Sequence, residues 1–254
     1  MRSSKGEHGP VLIDFLLHIN GDISERVMTV IEGLVPKLEV YIDEAFAELT
    51  GIQSDLVRLG REIRSQVLAS TGIPTGVGIA STKTLAKLAN YAAKRWQKQT
   101  GGVVDLTDSQ RRDKLLRAVA VNEVWGIGRQ LTERLGAMGI RTAWQLAQAD
   151  AWTLRKKFSV VLEKTARELQ GTACLELDSV APPKQEICCS RMFGERQKDL
   201  APIREAVATY AARACEKLRA QGSVCRKVRV SIRTGMFNPD ELKFAKGMLC
   251  ELPY

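Results

Sequence analysis

Apolar residues recur at two different spacings along the chain, and these spacings predict both strands and helices. Leu38, Val40 and Ile42 alternate with polar neighbours, a period of two that predicts a half-buried strand leading to Asp43 and Glu44, and a second strand is predicted before the next helix. Small side chains over residues 75–80 predict a strand that lets a backbone or a ligand approach closely. Helical spacing predicts amphipathic helices over residues 22–34, 54–69, 83–94 and 201–219.

The order of these elements divides the chain into regions of different class. Residues 22–106 alternate helices and strands, which predicts an α/β or α+β domain with one sheet. Residues 107–173 are predicted to be wholly helical, and the Pro-rich segment 181–184 is a linker. A further strand is predicted over 185–193. Near the N-terminus, the apolar run 11–17 fits a strand or a buried helical turn equally well.

Two adjacent carboxylates, Asp43 and Glu44, stand between apolar neighbours at the end of the first predicted strand. A buried carboxylate needs a partner because its desolvation alone is costly. A divalent cation such as Mg²⁺ is one such partner, since it takes oxygen ligands. Asp43 and Glu44 are therefore candidate metal ligands, and the alternative is a hairpin tip at which both acids point into water.

Lysines accompany the start of the predicted helix 83–94, directly after a strand of small residues. Lys83, Lys87 and Lys94 are predicted to share the polar side of this helix. A helix N-terminus with nearby lysines favours anions, so the segment is a candidate phosphate site. It lacks the Gly-x-x-x-x-Gly-Lys-Ser/Thr pattern of a P-loop. The alternative is a helix with a solvated lysine face.

Two further segments have features of nucleic-acid binding. Gly126, Ile127, Gly128 and Arg129 form a Gly-x-Gly turn ahead of a helix, a helix-hairpin-helix pattern that grips a phosphate backbone without reading sequence. The alternative is a plain helical hairpin. A predicted strand over 224–234 places three cations on one face, which could lie against a phosphate backbone or could protect an edge strand. These cations are Lys227, Arg229 and Arg233.

Composition restricts the remaining classes. Residues 1–106 carry 12 Lys and Arg against 12 Asp and Glu, whereas residues 107–254 carry 26 against 17, so the whole net charge of +9 lies in the second part. A neutral front and a basic back suggest chemistry in front and a polyanion held behind. The cysteines show no C-x-x-C spacing and only two histidines occur, which argues against structural zinc. No apolar run reaches the ~18 residues of a membrane span, no signal peptide is predicted, and unpaired cysteines fit a reducing cytoplasm.

Several short segments occur together in the order typical of one family. They are the segments 42–46, 76–80, 82–89, 101–106, 124–128 and 190–195. Together they resemble the Y-family translesion DNA polymerases, in particular those of the UmuC type. The resemblance implies an α+β multidomain fold. Its parts are a partial palm of sheet and helices at 22–106, an all-α helix-hairpin-helix thumb at 107–173, a linker at 174–183 and an incomplete α/β little finger at 184–254. Residues 1–21 are unmatched.

The family reaction is nucleotidyl transfer, in which a primer 3′-hydroxyl attacks the α-phosphate of a deoxynucleoside triphosphate with the help of two Mg²⁺ ions. The resemblance implies that Asp43 and Glu44 are catalytic and bind metal, and that Lys87 and Lys83 contact the triphosphate. It implies damaged or primer–template DNA as a partner, with a UmuD-type accessory subunit and a sliding clamp as further candidates. The implied setting is the bacterial cytoplasm and nucleoid, in SOS mutagenesis and DNA repair, with no membrane partner.

Three departures from the family pattern bear on activity, so whether this form is an active enzyme stays open. The family's N-terminal metal aspartate and its fingers have no match, and Asp14 is the candidate substitute for that aspartate. A serine is missing between Tyr41 and Ile42, which is expected either to remove Leu38 and Val40 from the core or to re-aim Asp43. The chain ends at Tyr254, inside the expected little finger, which would leave strand 224–234 as an unpaired edge.

Three hypotheses follow from the resemblance and its departures. The first is a UmuC-like lesion-bypass polymerase. The second is a non-catalytic polymerase remnant that grips duplex DNA while its palm is inactive. The third is a full-length polymerase cut by an N-terminal sequencing or frameshift artefact. The missing N-terminal aspartate separates the first hypothesis from the second.

Overall fold

The computed structural model describes residues 10–14, 21–40, 44–49, 52, 55–175, 185–235 and 242–253. The chain divides into two compact units, Met1–Ala181 and Pro182–Tyr254. This division falls within the linker predicted at 174–183. None of the helices in the described ranges is long and apolar enough to cross a membrane.

A five-stranded sheet lies at the centre of the first unit, with strand order β2-β3-β1-β4-β5. The strands are β1 (Pro10–Asp14), β2 (Lys37–Val40), β3 (Glu44–Glu48), β4 (Gly76–Ile79) and β5 (Val103–Asp105). Strands β4 and β5 are parallel, and the other neighbouring pairs are antiparallel. Strand β1 takes the central position, so the start of the apolar run 11–17 forms a strand. The region expected to form the palm thus shares its sheet with a strand from the segment before residue 22.

A hairpin lies where the sequence predicts two strands between the first two helices. Strands β2 and β3 are antiparallel, with Val40 opposite Ala45. Glu44 begins the second strand of the hairpin. The alternative in which both acids point into water is wrong for Glu44, because its side chain is only 16% exposed and pairs with Lys87. Asp43 lies outside the described residues.

Helices cover both faces of the sheet, as the alternating pattern predicts. Helices α1 (Gly21–Glu32) and α2 (Leu56–Thr71) share an apolar cluster with the sheet that includes Ile31, Ile63 and Val77. The Asp55 side chain caps α2 by accepting backbone N–H bonds, which satisfies donors that the first helical turn leaves unpaired. Helix α3 (Lys83–Arg95) packs on the opposite face, against β4 and β1.

The region predicted to be wholly helical contains short helices joined by tight turns. They are α5 (Ser109–Ala118), α6 (Arg129–Ala137), α7 (Ala143–Gln148), α8 (Ala151–Lys157) and α9 (Val160–Leu169), whereas the one-turn helix α4 (Gln97–Thr100) precedes this region, between α3 and β5. Phe46 of β3 and Leu85 of α3 belong to the same buried cluster as Leu116, Leu135 and Leu162 of these helices. The sheet and the helical region therefore share one continuous core.

The second unit contains helix α10 (Leu200–Ala220) and an antiparallel hairpin of β6 (Lys227–Arg233) and β7 (Ala245–Glu251). Helix α10 agrees with the predicted helix over 201–219. The strand predicted over 185–193 is wrong, since this segment has no strand. In the described part of the unit, β6 and β7 pair with each other in a two-stranded sheet that this segment does not join.

Candidate functional site

Acidic residues from two neighbouring strands meet at one end of the sheet. Asp14, the last residue of β1, is opposite Glu44, the first residue of β3, in the antiparallel register. On its other side Asp14 is opposite Gly76 of β4. Opposite residues in an antiparallel pair have Cα atoms roughly 4.5–5.5 Å apart. The backbone thus places Asp14 next to Glu44, one of the two acids that the sequence analysis selected.

Lys87 of α3 reaches the same end of the sheet and forms an ion pair with Glu44. The side chains of Lys87 and Glu44 are only 17% and 16% exposed, so water screens the pair incompletely. The Lys87 ammonium also lies over the ring of Trp125, with Nζ 5.5 Å from the ring centroid. The structure therefore brings Glu44 and Lys87 together at this end of the sheet.

Lys83 lies in a different environment from Lys87. It is 3% exposed, and its Nζ is 2.5 Å from Glu39 Oε2 and 5.0 Å from the centroid of the Phe46 ring. The alternative of a solvated lysine face is wrong for Lys83, because this ion pair draws its side chain against the sheet. Contact between Lys83 and a triphosphate stays a prediction.

The ion pair of Glu39 with Lys83 also explains why β2 buries Glu39 although the alternation of apolar residues places it on the polar face. Glu39 is only 8% exposed, whereas Val40 is 44% exposed. Leu38 still packs against the cluster of α1 and α2. Val40 thus lies outside the core while Leu38 packs against it, and the missing serine as the cause stays a prediction.

The backbone N–H groups at the start of α3 already have acceptors from the protein. Thr84 N donates to Glu168 Oε2 over 2.9 Å, and Leu85 N donates to Thr82 Oγ1 over 3.2 Å. A phosphate at this helix start would have to displace these bonds. The arrangement favours the Lys87 side chain over the N-terminus of α3 as the phosphate contact.

The start of α6 is arranged differently. Gly126 has φ of +84°, a left-handed conformation that glycine adopts at little cost. Gly128 is the N-cap of α6 and supplies no side-chain cap, and no atom lies within 4 Å of a Cβ built on either glycine. Between them Ile127 is 6% exposed and anchors the turn, which we call the 126–128 turn. Arg129 follows as an exposed side chain 3.3 Å from Glu133.

The three predicted cations of the second unit alternate along β6, as the sequence pattern requires. Lys227, Arg229 and Arg233 occupy positions of one parity in the strand and are all exposed. Lys227 Nζ is 3.1 Å from Glu251 Oε1 on β7, so this cation forms an exposed ion pair. Each of these cations remains within reach of a ligand on that face.

A metal ion at the acidic end of the sheet would be bound by carboxylates. Of Asp14, Asp43 and Glu44, the structure describes the side chain of Glu44 only. Among the described residues, no group of three His, Cys, Asp or Glu is close enough to hold a metal ion. Asp43 lies outside those residues, and only the backbone position of Asp14 is described. The backbone nevertheless fits a hard cation at this end, because carboxylate positions converge from β1 and β3.

Sequence reasoning missed the residues that join the sheet to the helical region. Trp125 has its ring centroid 5.8 Å from that of Phe46. Glu168, which is fully buried, accepts bonds from Thr84. The position of Trp125 directly before the 126–128 turn was a usable signal, whereas nothing local marks Glu168 as a partner of a residue 84 positions away.

The chain is similar to members of one protein family along most of its length. The model of the impB/mucB/samB family matches residues 17–91, and the model of the family's C-terminal domain matches residues 184–248. "Protein UmuC" of Salmonella typhimurium is 51% identical over 236 residues, which cover 92% of this chain and 56% of the relative. "Protein MucB" of Escherichia coli is 46% identical over 226 residues, covering 88% of this chain and 54% of the relative. The chain spans about half the length of the curated relatives it matches.

Solved structures resemble the chain in fold at lower identity. A Y-family DNA polymerase chimera matches with a TM-score of 0.64 at 20% identity, covering 92% of this chain and 65% of that chain. A Dbh ternary complex matches with a TM-score of 0.53 at 20% identity, covering 90% and 65%. These likenesses show an α+β polymerase-like fold.

Proposed function

We propose that this chain, which belongs to the impB/mucB/samB family of UmuC-like Y-family translesion synthesis proteins, adds deoxynucleotides to primer–template DNA past lesions. The observation that carries the proposal is the convergence of Asp14, Glu44 and Lys87 at one end of the sheet. Carboxylates beside a lysine suit metal-assisted transfer of a nucleotidyl group from a triphosphate to the primer 3′-hydroxyl, with pyrophosphate as the leaving group. The palm, the helix-hairpin-helix thumb and the little finger are the proposed roles of the sheet, the helical region and the second unit.

In this proposal each residue at the end of the sheet has a separate task. Asp43 and Glu44, with Asp14 from β1, hold the metal, and a bound Mg²⁺ supplies charge stabilisation and activates the attacking oxygen. Lys87 binds the triphosphate through its ammonium, which forms an ion pair with Glu44. Phe46 and Trp125 cover the site on the helical side and exclude water from it.

The proposal makes Asp14 the substitute for the family's N-terminal aspartate. Asp14→Asn keeps the shape of the side chain and removes its charge, so we expect single-nucleotide addition to fall about 100-fold, the scale of losing one aligned electrostatic group. The matched control is Asp105→Asn at the end of β5 in the same sheet, which should stay within about twofold of the unmodified chain. Equal activity in Asp14→Asn and the control would remove Asp14 from the site.

Duplex DNA is the proposed ligand of the 126–128 turn and of the cationic face of β6. Because these contacts go to phosphates, we expect affinity for primer–template DNA to fall steeply between 50 and 200 mM salt, by about 10³ or more if six or more phosphates are neutralised. Arg229→Ala should lower the slope of log affinity against log salt by about 1. Titrations at four salt concentrations measure both quantities, and an affinity that does not change with salt would contradict this mode of binding.

The non-catalytic remnant is the less favoured alternative. Its main support was the missing N-terminal aspartate, and the position of Asp14 in β1 weakens that argument. A UmuD-type subunit and a sliding clamp as partners, a cytoplasmic and nucleoid setting, and the binding of two Mg²⁺ ions stay predictions.

A further inference from the structure

We propose that Trp125 is a positioning residue that holds Lys87 at the nucleotide site and couples that site to the 126–128 turn. Two measured contacts support this role. The Lys87 ammonium lies 5.5 Å from the centroid of the Trp125 ring, and the same ring lies 5.8 Å from that of Phe46 at an interplanar angle of 42°. Trp125 therefore touches the sheet and α3 while its backbone belongs to the helical region.

The ring and the carboxylate of Glu44 together fix the position of the Lys87 ammonium. Glu44 pairs with it as an anion, and the electron-rich face of Trp125 attracts it as a cation. A lysine side chain has four rotatable bonds and would otherwise sample many positions. Both contacts are shielded from water, since the two charged side chains are less than one-fifth exposed.

The backbone on either side of Trp125 is anchored, so the ring moves with the turn. Val124 is 2% exposed and Ile127 is 6% exposed, and both belong to the continuous core. Gly126 and Gly128 of the turn are open to a ligand. A phosphate backbone seated on the turn thus acts on the same rigid segment that carries the Trp125 ring.

It follows that binding of duplex DNA at the turn and binding of a triphosphate at Lys87 are energetically linked. This step rests on the proposed function. Linkage is reciprocal, so the nucleotide must strengthen DNA binding by the same factor by which DNA strengthens nucleotide binding.

The first test measures that factor directly. The Kd for a dideoxy-terminated primer–template is determined with Mg²⁺, with and without the complementary deoxynucleoside triphosphate, so that no extension occurs. We expect the nucleotide to tighten DNA binding at least about fivefold in the unmodified chain, the lower end of typical couplings. Trp125→Leu keeps apolar volume and removes the aromatic face, and it should bring the factor to within about twofold of 1, while Trp125→Phe should retain a part of it.

Trp152→Leu is the matched control, because Trp152 lies in the same helical region but is 70% exposed. It should keep the full factor. A factor in Trp125→Leu equal to that of the control would overturn the coupling, provided that circular dichroism shows both variants folded.

The second test needs no ligand and is independent of the proposed function. The rate at which acetic anhydride acetylates Lys87 is followed by mass spectrometry of tryptic peptides. Removal of the Trp125 ring should raise this rate several-fold in Trp125→Leu and leave it unchanged in Trp152→Leu. An unchanged rate in Trp125→Leu would overturn the positioning role.

The two tests distinguish failure of the positioning role of Trp125 from failure of the proposed function. If the nucleotide leaves DNA affinity unchanged in the unmodified chain and does not itself bind to the chain, the proposed function fails. A rise in Lys87 acetylation in Trp125→Leu supports the positioning role even then.

Discussion

Replacing Glu168 by alanine is expected to destabilise the first unit by about 3–5 kcal/mol, because buried hydrogen-bond donors lose their acceptor. Glu168 is fully buried at the C-terminal end of α9. Its Oε2 accepts from the N–H and the hydroxyl of Thr84, at 2.9 and 2.5 Å. Its Oε1 accepts from the N–H groups of Cys174 and Leu175, at 3.1 and 3.0 Å. The two Thr84 donors are buried and cost about 1–3 kcal/mol each when unsatisfied, whereas the Cys174 and Leu175 bonds are partly buried and water can replace them in part.

Urea unfolding followed by tryptophan fluorescence measures this loss selectively. All four tryptophans of the chain lie in the first unit, so their signal reports on that unit alone. The matched control is Glu133→Ala, whose carboxylate is 67% exposed beside Arg129 and should contribute less than about 1 kcal/mol. A loss below about 1 kcal/mol for Glu168→Ala would contradict the role of this carboxylate in joining α9 to α3.

Gly78→Ala is expected to lower the free energy of unfolding of the same unit by about 3 kcal/mol, at the upper end of overpacking effects. A Cβ at this position of β4 would lie 2.2 Å from the carbonyl oxygen of Ala86 and 2.3 Å from the backbone nitrogen of Asn90. Both atoms belong to the backbone of α3, so no side-chain rotation can relieve the contact. Helix α3 would have to move away from the sheet and would carry Lys87 with it.

The control for Gly78→Ala is the same substitution at a glycine with free space. Gly136 of α6 has no atom within 4 Å of a built Cβ, and alanine there should raise stability by about 0.5–1 kcal/mol through helix propensity. The same urea titration measures both variants. Equal stability changes in the two variants would contradict the close approach of α3 to β4.

Local sequence patterns predicted those helices whose determinants lie within their own segment of the chain. Helix α2 has apolar residues at helical spacing, a capping Asp55 and a terminating Gly72, and helix α10 has a similar apolar stripe. The candidate site was predicted in part: the sequence identifies Asp43, Glu44 and Lys87 as candidates, but it does not give their spatial relation. The Gly-x-Gly motif likewise identified the turn ahead of α6.

What the sequence left open depends on contacts between distant residues. An alternating pattern treats Glu39 as exposed, and only its pairing with Lys83, 44 positions later, makes it buried. The apolar run around β1 is too short for periodicity to separate a strand from a helical turn, and its central place is set by pairing with β3 and β4. The strand expected over 185–193 has strand-like composition, but composition does not fix which edge a segment pairs with, and this segment joins neither edge of the β6–β7 sheet.

The measurement that tests the central claim most directly is magnesium-dependent addition of one nucleotide to a primer–template by the full chain, run beside Asp43→Ala. The account predicts addition that requires Mg²⁺ and falls about 100-fold or more in Asp43→Ala, because the acidic end of the sheet then holds the metal less well. The absence of addition while DNA remains bound would contradict it, and would leave a protein that only grips duplex DNA.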